Sequence, residues 1–341
     1  MPRSGEFCVG DSCRGKARLR SELEITLHKM TLILLDGKNA LFRFGFANKR
    51  LYTSDGKPTG AIHGILMTLI RLKRKYPDAQ FVMVWDGENG PAWRKIICPE
   101  YKANRSKENP SKEVVAIFAQ IDPLKEILAA LGVPNLEIAE MEADDLISIW
   151  GHYGKKQGWD VVIYSGDHDF WQLLPFGITV LTKMINGDGL HAVTPGNVWH
   201  KFKCSPEELV KVRAIAGDSS DYIAPAVHLI GVAKGAKLVK LGADPTKKRF
   251  EEHSPMIFDQ ISKLREAWPK ICANYKIMKL PASHTLARYT PLQSKAMEVE
   301  LAALQHLGQQ KPVYREVLGL LAKLELQEAI KERHLLVRLQ K

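Results

Sequence analysis

Nine acidic side chains, standing just beyond predicted strands or at the ends of predicted helices, are where the chain's chemistry concentrates. Asp36 follows the apolar run Leu32–Leu35, Asp86 follows Phe81–Trp85, and Asp167 and Asp169 follow Val161–Tyr164 in Ser-Gly-Asp-His-Asp. Glu142, Asp144 and Asp145 open a helical stretch in Met-Glu-Ala-Asp-Asp, and Asp218 and Asp221 stand in Gly-Asp-Ser-Ser-Asp after a helix predicted over Pro206–Ala216. Any one of these has an ordinary explanation as a turn former, an N-cap or a partner of the helix dipole. Three strands that release acids at one rim do not. Crowded carboxylates repel one another and resist desolvation, so they stay ionised only beside cations. Oxygen donors alone suit Mg²⁺ or Mn²⁺ better than zinc. The pattern reads as a multi-carboxylate centre for two divalent ions, which can stabilise both the attacking and the leaving oxygen of a phosphodiester displacement. His168 lies between two of the acids; in an extended segment it points the other way and is a bystander.

The elements that must carry these acids alternate. Leu32–Leu35, Phe81–Trp85, Val161–Tyr164 and Thr179–Thr182 are continuous apolar or β-branched runs, as expected of parallel strands covered on both faces. Ile62–Tyr76, Val114–Leu131 and Ala143–Gln157 are amphipathic and read as helices. Strand and helix in alternation predict an open α/β sheet, where ligands bind at the carboxyl ends of the strands. Beyond about Thr194 the pattern turns helical and more basic.

The chain has 341 residues with 45% apolar and 26% charged side chains, a globular balance rather than a disordered one. No apolar run reaches the roughly 18–20 residues of a membrane helix, so no membrane partner is expected. The net charge of +11 favours a polyanionic partner, and five cysteines suit a reducing cytoplasm. Residues 1–29 are Gly-, Ser- and Arg-rich without a signal-peptide core, and read as a disordered extension; Met30 is a natural start for the fold. Cys8 and Cys13 have the spacing of half a zinc site, with no second pair to complete it.

Together the motifs resemble the 5′ nuclease, or flap endonuclease, family, which includes the 5′–3′ exonuclease domain of bacterial DNA polymerase I and stand-alone phage 5′ exonucleases. The likeness runs over about residues 31–240: Leu-Leu-Asp36-Gly, Thr53-Ser-Asp-Gly-Lys-Pro-Thr-Gly-Ala, Trp85-Asp86, Pro99-Glu-Tyr-Lys-Ala-Asn-Arg105, Glu142-Ala-Asp-Asp145, Gly166-Asp-His-Asp-Phe-Trp-Gln172 and Gly217-Asp-Ser-Ser-Asp221. The resemblance implies a PIN-like, mostly parallel sheet flanked by helices over residues 30–193, with a helical arch at about 91–128. It also implies a helix–turn–helix region of the H3TH type over 194–300, followed by a helical tail over 301–341. By the same resemblance Asp36, Asp86, Glu142 and Asp144 surround one metal, and Asp144, Asp167, Asp169 and Asp218 the other, with Asp145 and Asp221 nearby.

The segment after Asp86 carries Arg94, Lys95, Lys102, Arg105, Lys107 and Lys112 among Trp93 and Tyr101. Most such runs are solvated loops; here the functional reading is a cationic gate for a single-stranded 5′ end, with a base stacked on Tyr101. The family likeness assigns Arg94 and Lys102 to the scissile phosphate and Arg105 to the strand. Ile223–Val239 falls where the family has its duplex-binding hairpin, through Gly231, Lys234 and Gly235. Leu229 replaces the first hairpin glycine, a departure at the position where the family holds a monovalent cation such as K⁺. The expected activity is a Mg²⁺- or Mn²⁺-dependent 5′→3′ exonuclease and flap endonuclease in primer removal, replication or recombination. Its expected partners are DNA with free 5′ ends, flaps or forks, including RNA/DNA primers, bound by a monomer in a bacterial or phage-infected cytoplasm. The alternative is a catalytically silent protein that binds branched DNA on the same scaffold, which would lack ligands or the gate lysine.

Overall fold

The structure, a computed structural model, describes residues 30–105, 110–183, 189–247, 258–289, 314–336 and 339. The N-terminal extension, Lys107 and much of the segment between the last helices lie outside the described residues. In chain order, the first half holds β1 (Thr31–Asp36), α1 (Gly37–Ala47), α2 (Gly60–Lys75), β2 (Gln80–Asp86), α3 (Ala92–Ile97), α4 (Lys112–Phe118), α5 (Ile121–Ala130) and β3 (Asn135–Ile138). There follow α6 (Ala143–Lys156), β4 (Asp160–Tyr164), a 3₁₀ helix (His168–Phe176), β5 (Thr179–Lys183) and β6 (Leu190–Ala192). The regular elements described beyond these are all helices: α7 (Pro195–Phe202), α8 (Leu209–Ala216), α9 (Val232–Lys240), α10 (Phe258–Met278), α11 (Ser283–Tyr289), α12 (Tyr314–Lys323), α13 (Gln327–Lys331) and α14 (Arg333–Leu336).

Among the described residues, six strands lie in the order β3-β2-β1-β4-β5-β6, parallel except for β6. Strict alternation sends Ile33, Leu35, Phe81, Met83 and Tyr164 to one face and Leu32, Leu34, Val82, Val84 and Ile163 to the other. Both faces are buried, each large aliphatic side chain contributing about 1.5–3 kcal/mol, which explains why the strands read as unbroken apolar runs. Helices α1, α2 and α5 cover the first face, and α6 with the 3₁₀ helix covers the second.

Three local features depart from the expectations of sequence. The stretch read as one helix over Val114–Leu131 is two, α4 and α5, broken at Ala119–Gln120. The break lets the buried Gln120 side chain accept from the N–H groups of Ala61 and Ile62 (2.8 and 3.3 Å), at the open end of α2, whose own N-cap Thr59 makes no side-chain bond. Strands β3 and β6 were not foreseen: they are short, and only Leu136 of β3 is buried. The described C-terminal helices, expected only as a helical tail, pack into the main core. Val317, Leu321, Leu326, Ala329 and Leu336 bury against the α2 side of the sheet, and Arg74–Glu332 (2.6 Å) ties the edge. No described helix is long and apolar enough to cross a membrane.

Candidate metal centre and its two clefts

Each strand-end acid is positioned by the turn that follows it. Asp36 ends β1 and caps α1, its Oδ1 accepting from the Asn39 N–H at 3.1 Å and its Oδ2 from the Ser165 hydroxyl at 2.9 Å. Asp86 ends β2 and accepts from the Ala143 N–H at 2.8 Å, the first amide of α6. Both acids are followed by glycines that need their bareness. A Cβ on Gly37 would stand 2.7 Å from the Trp85 ring, and one on Gly87 1.8 Å from the Ile138 carbonyl oxygen. Asp167 caps the 3₁₀ helix by accepting from the Asp169 N–H at 2.9 Å. Thus the acids sit where the sheet ends and the helices begin, and the positive helix ends favour their charge.

The nine acids fall into linked groups. Asp36, Asp86 and Asp144 line one cleft of about 780 Å³ together with Asp167. Asp167 and Asp218 line a second of about 660 Å³. Among the described residues, Asp169, Asp218 and Asp221 can bring one carboxylate oxygen each within 4.8 Å of the others. The tightest trio therefore includes Asp221, which the family likeness placed only nearby, and not Asp144.

The charge on these acids is matched largely by the protein's own cations. Glu142 meets Arg94 Nη1 and Lys102 Nζ, both at 2.5 Å, and the Tyr101 hydroxyl donates to it at 3.3 Å. Lys38 stands 3.2 Å from Asp86, and Arg105 2.7 Å from Asp221. Arg213 spans Asp169 and Asp218 with its two terminal nitrogens. Burial opposes ionisation throughout. At Glu142 the cations Lys102 and Arg94 overcome it and hold the carboxyl low; at Asp218, Arg213 and Ser220 do the same. Where no cation suffices, the acids rise. Burial, with the Asp86 charge behind it, pushes Asp36 up to about 6 despite its two hydrogen bonds. Burial and neighbouring Asp169 push Asp167 up to about 7, and burial with Glu142 and Asp145 drives Asp144 well above the ordinary range. An all-oxygen set in which three carboxyls resist ionisation has the chemistry to take up divalent cations. Asp36, Asp86 and Asp144 form one candidate ligand set, which the buried Glu142 could join only if Lys102 lets go of its Oε1, and Asp167, Asp169, Asp218 and Asp221 form another.

Several expected roles need correction. Asp145 is fully buried, and its oxygens are taken by the Ala282 N–H (2.9 Å), the Thr285 hydroxyl (3.1 Å) and Arg94 (2.8 Å). It anchors the start of α11 rather than offering a ligand atom. Arg94 is 1% exposed, enclosed by Glu142 and Asp145, with its Nε donating to the Ile277 carbonyl at 2.9 Å. It lies behind the acids and lines neither cleft, whereas Lys102 and Arg105 line the first. Tyr101 is likewise buried, so its ring is not available to a base. Exposed aromatics do line that cleft: Phe46 and Phe118, with Phe42 between them at 6.1 and 5.3 Å. Gly235 is buried against α8, where a Cβ would come within 3.3 Å of the Val212 carbonyl oxygen; it serves helix packing. Gly231 and Lys234 are exposed, and Gly231 lines the second cleft. Leu229, in the place of a glycine, takes a φ of 63° and is 75% exposed. The His168 segment is helical, not extended. His168 lines the second cleft beside Asp167 and Asp218, its Nε2 accepting from Lys201 Nζ at 2.9 Å, and burial followed by the nearby Lys201 and Arg213 charges keeps its pKa low.

Lys38, Asn39, Ser165 and Arg213 were not singled out in the sequence. The signal available for Arg213 was a lone arginine in an otherwise apolar turn, Val-Arg-Ala-Ile-Ala, five residues before Asp218. For Lys38 it was its place one residue beyond Asp36-Gly.

Comparisons with known proteins bear on the chain's family and fold. The family model described as 5′-3′ exonuclease, N-terminal resolvase-like domain, matches residues 31–203. A DNA polymerase I of Pseudomonas aeruginosa is 38% identical over 200 residues, a stretch that is 59% of this chain but only 21% of that protein. A 5′-3′ exonuclease of Buchnera aphidicola subsp. Schizaphis graminum is 33% identical over 213 residues, 62% of this chain and 70% of that one. Among solved structures, T5 5′-exonuclease with bound zinc ions superposes with a TM-score of 0.60 at 20% identity, covering 76% of this chain and 97% of the other, which shows a shared fold. With half of its length matched by the family model and a curated exonuclease covered over most of its own length, the chain belongs to the 5′-3′ exonuclease family with the resolvase-like N-terminal domain.

Proposed function

We propose that this chain is a Mg²⁺-dependent 5′→3′ exonuclease that also cuts flaps, hydrolysing DNA phosphodiester bonds with two divalent ions, for which Mn²⁺ can substitute. The observation that carries the proposal is the gathering of acids from β1, β2, α6, the β4 end and the α8 end along one rim, beside an open cleft. The named 5′-3′ exonuclease relatives support the same reaction class. When bound, such a pair of ions supplies charge stabilisation to the oxygens of an in-line phosphoryl displacement.

The chain's own groups do the rest. Lys102, on the wall of the first cleft, is placed to meet a phosphate once its hold on Glu142 loosens. Arg105 and Arg43 line the same cleft and suit a strand's backbone charges. Phe46 and Phe118 offer faces on which a base can stack, the part expected of Tyr101. Arg94 orients Glu142 from behind. The test is cleavage of a labelled 5′-flap DNA in Mg²⁺ with product sizing. Asp86→Asn and Asp167→Asn should abolish product while leaving DNA binding largely intact. Cleavage at the unaltered rate by either variant would show that these acids do not serve the reaction.

A further inference from the structure

We infer that Lys201 is a phosphate-binding residue of the second cleft, engaging the substrate's backbone on the side of the acids opposite Lys102 and Arg105. The inference rests on reading the acid centre as the place of phosphodiester hydrolysis, and goes beyond it by assigning the second cleft a stretch of the same polyanion. That cleft is floored by Asp167, Arg213 and Asp218 and walled by Lys201, Tyr222 and Gly231. Its volume of about 660 Å³ exceeds what two ions need and falls in the range that holds a small ligand. A strand whose scissile phosphate lies at the acids must continue away from them, and this cleft opens directly from Asp167.

Lys201 stands out among the cations around the acids by what holds it. Lys38, Lys102, Arg94, Arg105 and Arg213 are each paired with a carboxylate. Lys201 is exposed, and among the described residues no carboxylate pairs with it. Its ammonium instead donates to His168 Nε2 at 2.9 Å and lies 5.8 Å from the centre of the Phe202 ring. His168 is itself braced edge-on by Trp171 at 4.5 Å. An imidazole nitrogen and a ring face fix the position of an ammonium without cancelling its charge, so the cation keeps its full attraction for an anion. A lysine that only decorated the surface would not need that seat.

The test is the salt dependence of binding to a 5′-overhang duplex DNA in EDTA, where no cleavage competes. Lys201→Gln keeps a donor for His168 and removes the charge; Lys201→Arg keeps the charge. One phosphate contact contributes about 0.9 to the slope of log affinity against log salt on duplex. Lys201→Gln should therefore lower that slope by about 0.9, losing about threefold less affinity than the unaltered protein between 50 and 200 mM salt. Lys201→Arg should restore the slope. An unaltered slope in Lys201→Gln overturns the assignment of Lys201. An unaltered protein whose affinity ignores salt would instead overturn the nucleic-acid reading as a whole, so the two failures are distinguishable.

Discussion

Replacing Asp167 by asparagine should stabilise the metal-free protein at pH 8 while removing its activity. Burial and the adjacent Asp169 carboxyl raise the Asp167 pKa from 3.8 to about 7. A carboxyl whose folded-state pKa lies above its unfolded value favours folding in its protonated form. Its penalty begins as pH passes 3.8, where the unfolded chain ionises, and is complete above about 7, where the folded one does. A rise of that size corresponds to about 4 kcal/mol, and the solvent that reaches this half-buried side chain reduces it to about 2 kcal/mol. Asparagine carries no charge and accepts from the Asp169 N–H as aspartate does, so the cap on the 3₁₀ helix survives. Urea unfolding in EDTA should therefore show Asp167→Asn more stable by about 2 kcal/mol at pH 8, with the gain vanishing toward pH 4. In millimolar Mg²⁺ the advantage should shrink or reverse, because the unaltered protein gains the binding energy of the ion. A variant less stable than the unaltered protein at pH 8 in EDTA would refute the claim that charge is crowded at this rim.

Arg213→Ala leaves Asp169 and Asp218 facing each other without their shared cation, and should cost about 3 kcal/mol in urea unfolding. A loss under 1 kcal/mol would mean that solvent already screens the pair. Asp145→Ala should destabilise by a similar amount and speed proteolysis near α11, since it removes the acceptor of Ala282, Thr285 and Arg94. Unchanged proteolysis there would argue against the anchoring role. Leu229→Gly should stabilise by about 1 kcal/mol, by relieving a side chain held at a φ of 63° with most of its surface in water. A destabilised Leu229→Gly would show that leucine's contacts outweigh its backbone cost.

What the chain's order of residues determined by itself was the sheet and its acids. A strand buried on both faces must be an unbroken apolar run, and an acid at its end is local in sequence, so Asp36, Asp86 and Asp167 and the strands before them were legible. The break at Gln120 was not, because its reason lies some sixty residues away at the open amides of α2. Nor was the docking of the C-terminal helices, whose apolar faces name no partner until Val317 and Leu321 meet the α2 side of the core. The tertiary structure alone decided which charges face which. It turned Arg94 and Asp145 inward as a buried pair, hid Tyr101 behind Glu142, and brought Arg213 between two acids. Electrostatic energy depends on distance and burial in space, and linear spacing constrains those only within a turn or a strand end.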